Sequence, residues 1–176
     1  AQPYFIQNYH ANGTASTTTP YGSVRDGEFT GRFAGLGHTI TNLTLSGGSN
    51  TGLFSQVNGA IVQDIRLEKT NITGNGHYVG TLVGYANNNT RITGVMVANG
   101  SVTLSGGGIG TGGIIGYTEY GTMRDAWVIN NPITANSADY HIGGIAGHTV
   151  MTVDNVHNIN STISALNGFR VGGLFG

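Results

Sequence analysis

Val171-Gly172-Gly173-Leu174-Phe175-Gly176 is the last of five versions of one phrase. Before it come Ile142-Gly143-Gly144-Ile145-Ala146-Gly147, Thr111-Gly112-Gly113-Ile114-Ile115-Gly116 and Val79-Gly80-Thr81-Leu82-Val83-Gly84. Asn50-Thr51-Gly52-Leu53-Phe54-Ser55 is a degenerate first copy. The phrases end at residues 55, 84, 116, 147 and 176, at intervals of 29, 32, 31 and 29. A near-constant period of this size marks stacked supersecondary units.

Working outward from the phrase exposes further columns. Ile40, Val62, Ile92, Met123 and Val153 align. So do Leu43, Ile65, Val95, Ala126 and Val156, and, two residues on, Leu45, Leu67, Val97 and Val128, where Asn158 breaks the series. A spacing of two is strand alternation. Between the first two columns lies Asn42, Asp64, Gly94, Asp125, Asn155, all types that tolerate positive φ, so a bend is expected in every unit. A fourth column, Ile72, Val102, Ile133 and Ile163, is followed by Thr73, Thr103, Thr134 and Ser164. Each unit thus offers three short β-prone runs, none with helical period. Only stacking like residue over like residue would pair their backbones and build one core. The expectation is a right-handed parallel β-helix of about five coils; an antiparallel sandwich fits less well, because the columns repeat by translation.

The composition agrees. The chain has 176 residues, 31 of them Gly and only 3 Pro. Charged residues make up 9%, and Lys69 is the single lysine. Apolar residues reach 38% on a fixed schedule, so the glycines read as turns and close-packed backbone rather than flexible linker. A net charge of −1 argues against nucleic acid or an anionic membrane surface as partner. No cysteine is present, which removes disulfides and thiolate metal sites. Residues 1 to 28 do not fit the repeat and are expected to form an N-terminal cap on the repeats of 29 to 176.

The segment Phe29-Thr30-Gly31-Arg32-Phe33-Ala34-Gly35-Leu36-Gly37-His38-Thr39-Ile40-Thr41-Asn42-Leu43 precedes the glycine phrases. Together they resemble the GLUG repeat, in which a Phe-Gly-Phe-Asp-Gly-Gly-His-Thr-Ile-Asn-Leu pattern leads into Val-Gly-Gly-Leu-Ile-Gly phrases. Ala34 departs from that pattern, where the family usually has Asp. The resemblance implies an exported, secreted or cell-surface bacterial protein, similar to segments of filamentous-haemagglutinin-like adhesins. Such repeats also occur in immunoglobulin-A-cleaving metallopeptidases, where a segment of this kind would be non-catalytic.

Chemistry-bearing constellations are few. Asp64 and Asp125 would lie two coils apart, about 10 Å, near the carboxyl separation of inverting glycosidases. Their column reads equally as a series of bends. The six histidines share no column, and the zinc motif His-Glu-x-x-His is absent. His148 aligns with Gln56, Tyr85 and Tyr117, and His141 with Tyr78; all six read as structural. Gly106-Gly107-Gly108-Ile109-Gly110 lacks the Lys-Ser/Thr of a phosphate loop. The single Thr73/Thr103/Thr134/Ser164 column carries a weak suggestion of an ice-binding surface.

One outward column stands out: Thr44, Arg66, Met96, Trp127 and His157, containing the chain's only tryptophan. Arg66, Met96, Trp127 and His157 are the expected binding residues, against a sugar or a protein partner, unless another segment covers them. The expected function is a non-catalytic structural or adhesive segment of a surface protein, with a glycan or host-surface receptor as partner. The alternatives are a polysaccharide hydrolase or lyase on a β-helix, and an ice-binding solenoid. No cofactor, metal, nucleic acid or membrane insertion is expected. The last phrase carries no polar cap, so its edge is expected to continue into further repeats or to associate end to end.

Overall fold

A computed structural model describes residues 28–136 and 139–176. Residues 1 to 27, which the sequence reading assigns to a cap, lie outside the described residues; Glu28 already belongs to the first coil, opposite Gln56. All the described strands are parallel, and they stack into four sheets of a β-solenoid with about five turns. The first sheet contains Glu28–Phe29, Phe54–Asn58, Val83–Asn87, Ile115–Thr118 and Ala146–Thr149. The second contains Arg32–Ala34 with Thr39–Thr41, then Ile61–Glu68, Thr90–Ala98, Gly121–Ile129 and Thr152–Ile159. The third runs through Thr44–Gly47, Asn71–Gly74, Ser101–Leu104, Ile133–Ala135 and Ile163–Ala165. The fourth is formed by Val79–Gly80, Gly108–Gly112, Asp139–Gly143 and Arg170–Gly172.

Each coil therefore has four strands rather than the three read from the sequence. The additional strand leads into the glycine phrase, which turns the corner from the fourth sheet to the first. Its central apolar residues, Leu82, Ile114 and Ile145, are fully buried. Their amides continue the ladder around the corner: Leu82 N–H donates to Ile114 O at 3.0 Å, and Ile114 N–H to Ile145 O at 2.8 Å. The coils approach so closely here that no Cβ fits. One added to Gly112 would come within 2.6 Å of Ala146 Cα and Gly147 N, and nearer still to the Ile115 carbonyl. That is the physical reason the phrase recurs.

The inward columns hold from the second coil onward. Val62, Ile92, Met123 and Val153 are register partners, as are Ile65, Val95, Ala126 and Val156. Ile72, Val102, Ile133 and Ile163 stack on four successive coils, with the first three fully buried. Asp64, Gly94, Asp125 and Asn155 all carry positive φ, between 51° and 63°, so the bend column is real.

The first coil departs from the expected register. Phe33, not Ile40, lies beside Val62; Ile40 pairs with Leu67; Leu45 pairs with Ile72. The cause is an inserted turn at the first bend. Gly35-Leu36-Gly37-His38 closes with His38 N–H donating to Gly35 O at 2.9 Å, with Leu36 and Gly37 at positive φ. It splits the strand in two around Asp64, which displaces the downstream residues along the partner coil. Asn42 moves with them, into a second bend column with Lys69, Asn99, Asn130 and Asn160, all at positive φ. Asn tolerates this conformation because its short amide bonds locally. Here the amides also bridge coils: Asn130 Nδ2 donates to Asn99 Oδ1 at 3.1 Å.

Candidate functional site

The outer face of the second sheet collects most of the chain's polar chemistry. Three outward columns cross it. Arg32, Ile61, Arg91, Thr122 and Thr152 form one; Ala34, Gln63, Thr93, Arg124 and Asp154 form the next. Beyond the bend comes Thr39, Arg66, Met96, Trp127 and His157. The four predicted binding residues Arg66, Met96, Trp127 and His157 thus share one column on successive coils. Thr44 does not belong to it. The first-coil insertion places Thr39 beside Arg66 and moves Thr44 to the third sheet, opposite Asn71.

Within that column Arg66 and His157 are exposed, and Met96 and Trp127 half-buried. Trp127 and His157 lie flat on each other, with centroids 5.9 Å apart and planes at 11°. His157 therefore overlaps part of one face of the indole. His157 is held in turn. Asn155 donates Nδ2 to Asp125 Oδ1 at 2.6 Å, which leaves Asn155 Oδ1 to accept from His157 Nε2 at 2.8 Å. That arrangement requires the proton on Nε2.

The two aspartates of the bend column are engaged separately. Asp64 Oδ2 accepts from Gln63 Nε2 at 2.7 Å, and Gln63 Oε1 accepts from Arg32 at 3.0 Å. Asp125 is bound to Asn155 on the next coil. Gly94 lies between them in register. Each carboxylate stabilises a left-handed bend through its neighbour, as a bend column would.

A second cluster sits at the corner of the first and fourth sheets. Tyr85, Tyr117 and His148 are register partners in the first sheet. Tyr85 and Tyr117 stack at 5.9 Å, and Tyr117 and His148 at 4.3 Å with planes at 11°. Tyr78 packs against both tyrosines, at 5.3 and 4.9 Å. His141 meets His148 edge-on at 4.8 Å. Arg170 lies 3.1 Å from His141 Nε2; guanidinium has only donors, so that nitrogen is the acceptor. Tyr85 Oη donates to Glu119 Oε1 at 2.7 Å. Burial, followed by this hydrogen bond and the Glu119 charge, pushes the Tyr85 phenol up to about 12. Tyr78 is also raised, mainly by burial, then by Tyr117 and Glu119.

The sequence columns contain the members of this cluster but not its contacts. Alignment puts His148 with Tyr85 and Tyr117, and His141 with Tyr78, in separate columns. The corner made by the glycine phrase brings the two columns together, and only folding reveals that. The rings stack along the solenoid axis, so their faces serve one another rather than a ligand. Among the described residues no group of three or more His, Cys, Asp or Glu side chains could hold a metal ion.

The third sheet carries the hydroxyl column Ser46, Thr73, Thr103, Thr134 and Ser164 in register. The outward column beside it contains Thr44, Asn71 and Ser101. Threonine rank follows threonine rank in one column only.

The chain is a parallel β-solenoid. It is similar to Halomucin of Haloquadratum walsbyi (strain DSM 16790 / HBSQ001), with 34% identity over 119 residues. The match covers 64% of this chain and 1% of that protein, so the chain spans a very small part of the relative it matches. No family model matches the chain. No solved structure matches it.

Proposed function

We propose that this chain is a non-catalytic structural and adhesive segment of an exported cell-surface protein, one stretch of a longer solenoid. The observation that carries the reading is the match to a small part of Halomucin, a far longer protein with a mucin's name. The stacked coils supply the mechanical rationale: a rigid rod whose length grows with repeat number. The likeness of the phrases to the GLUG repeat of surface adhesins points the same way. The relative is archaeal, so the surface is that of a prokaryote rather than specifically a bacterium.

Contact with a glycan or receptor falls to the outer face of the second sheet, where Arg66, Met96, Trp127 and His157 stand in line. Enzymatic cleavage of a polysaccharide is disfavoured by the engagement of Asp64 and Asp125 in the bend network, which leaves neither poised as a general acid or base. Antibody labelling of intact cells, compared with lysed cells, tests the surface assignment. Labelling of intact cells is expected; signal that appears only after lysis contradicts it. Loss of adhesion in Trp127→Ala is expected, and unchanged adhesion would remove the contact role.

A further inference from the structure

Two arginines on the second sheet are left over from the networks described above. Arg91 lies in register with Thr122, and Thr93 with Arg124, on adjacent coils. The four side chains form a checkerboard: Arg and Thr on one coil, Thr and Arg on the next. They line a shallow cleft of about 370 Å³, with Ile92 as the fifth lining residue. Both arginines are exposed, and among the described residues neither guanidinium makes a hydrogen bond or ion pair. The carboxylates nearby are committed elsewhere, Asp64 to Gln63 and Asp125 to Asn155. Asp154 follows Arg124 in the same column, one coil on.

Charge is scarce in this chain, at 7 Lys and Arg among 176 residues. Two guanidiniums without a side-chain partner therefore face one cleft, with the Asp125 and Asp154 carboxylates next to Arg124 along the strand and one coil on. A guanidinium presents a planar fork of donors matched to the two oxygens of a carboxylate or sulfate. Two such forks on a diagonal, with a threonine hydroxyl beside each, offer convergent donors for one oxyanion. The cleft volume equals that of about a dozen waters, more than a bare inorganic ion fills. An oxyanion carried on a sugar ring matches it better. Gly94 adjoins the cleft in the bend column, and the Asp64 carboxylate of the preceding coil lies against it, which bounds the cleft on that side.

We propose that Arg91, Arg124, Thr93 and Thr122 bind the carboxylate or sulfate-ester group of an acidic polysaccharide. The proposal deepens the adhesive reading above and rests on it for its biological setting. Failure here leaves the surface assignment standing, because cell labelling tests that separately.

Isothermal titration of the whole chain at fixed ionic strength is the test, using polygalacturonate, dextran sulfate, neutral dextran and inorganic sulfate. At least one acidic polymer is expected to bind, and neutral dextran is not. The two acidic polymers distinguish carboxylate from sulfate ester. Competition by inorganic sulfate would confirm that an oxyanion is the recognised group. Arg91→Gln and Arg124→Gln should each weaken binding by about tenfold or more, the usual effect of losing a charge-assisted bidentate contact. Arg124→Lys should fall between, keeping the charge but losing the fork. Asp154→Asn should tighten binding by removing a competing carboxylate, and Lys69→Gln, exposed on the second bend column and outside the cleft, should leave affinity near that of the parent. Absence of binding to both acidic polymers would overturn the proposal. So would equal losses in Lys69→Gln and Arg91→Gln, which would signify diffuse charge attraction alone.

Discussion

The imidazole of His157 overlaps part of one face of the Trp127 indole from the adjacent coil, with centroids 5.9 Å apart and the ring planes only 11° apart. Because Trp127 is the only tryptophan, its fluorescence reports this contact without interference. His157→Ala should uncover the indole face, shift emission to the red and raise quenching by acrylamide. Identical spectra in the two proteins would mean that the rings do not stack in solution.

Removing buried atoms from the Ile72–Val102–Ile133–Ile163 column should be costly. Ile133 is fully buried between Val102 and Ile163 on neighbouring coils. Ile133→Ala should lower unfolding stability by about 2–5 kcal/mol. Thr134→Ala, one residue away and facing outward, should change it by about 0.5 kcal/mol or less. Urea unfolding of both variants checks the alternation directly, and equal effects would contradict it.

A glycine of the recurring phrase and one of a surface turn should respond differently to a methyl group. At Gly112 the added Cβ meets backbone of the next coil, which cannot move without breaking the ladder. Gly112→Ala should cost about 1–3 kcal/mol or more, the range for overpacking. At Gly48, on an exposed turn, only the Asn75 side-chain oxygen lies within 4 Å, at 3.7 Å, so Gly48→Ala should be near neutral. Thermal unfolding that ranks the two in reverse would show that the corner packs differently.

Alkaline stability should fall in a defined window. Tyr85 is raised from 10.0 to about 12, by burial first and by its bond to Glu119 second. Below about pH 10 the phenol is protonated folded and unfolded, and its contribution is fully present. As pH rises from there through about 12, the unfolded chain loses its proton more readily, so stability declines. Tyr78, also raised, acts in the same direction. Tyr85→Phe should make the decline shallower. Unfolding free energies measured across pH 9 to about 12 that show the same slope in both proteins would count against the Tyr85–Glu119 hydrogen bond.

The repeat was legible because its strongest constraint is steric and recurs at every corner: glycine where backbones touch. From the second coil onward, columns such as Ile92, Met123 and Val153 could be read by alignment alone. The first coil could not. Its register depends on the turn Gly35-Leu36-Gly37-His38, and an insertion of a few residues leaves periodicity intact on either side while shifting everything between. The Asn42/Lys69/Asn99/Asn130/Asn160 bends were also hidden, since a lysine at positive φ interrupts an otherwise readable asparagine column. Of the predicted contact residues, the shared column of Arg66, Met96, Trp127 and His157 was visible, because outward positions follow from alternation. The Arg91–Arg124 cleft was not. Those residues are 33 apart and become neighbours only diagonally across the register.

The central claim is that coils stack in parallel with Thr73, Thr103 and Thr134 directly over one another. The chain has no native cysteine, so spin labels can be placed at chosen sites alone. Thr73→Cys and Thr134→Cys together, labelled with a nitroxide, would lie two coils apart, about 10 Å at 4.8 Å per coil. Continuous-wave electron paramagnetic resonance on the frozen double-labelled chain should show strong dipolar broadening, and stronger still for Thr103→Cys with Thr134→Cys. Spectra equal to the sum of the single labels would place these threonines far apart and contradict the solenoid.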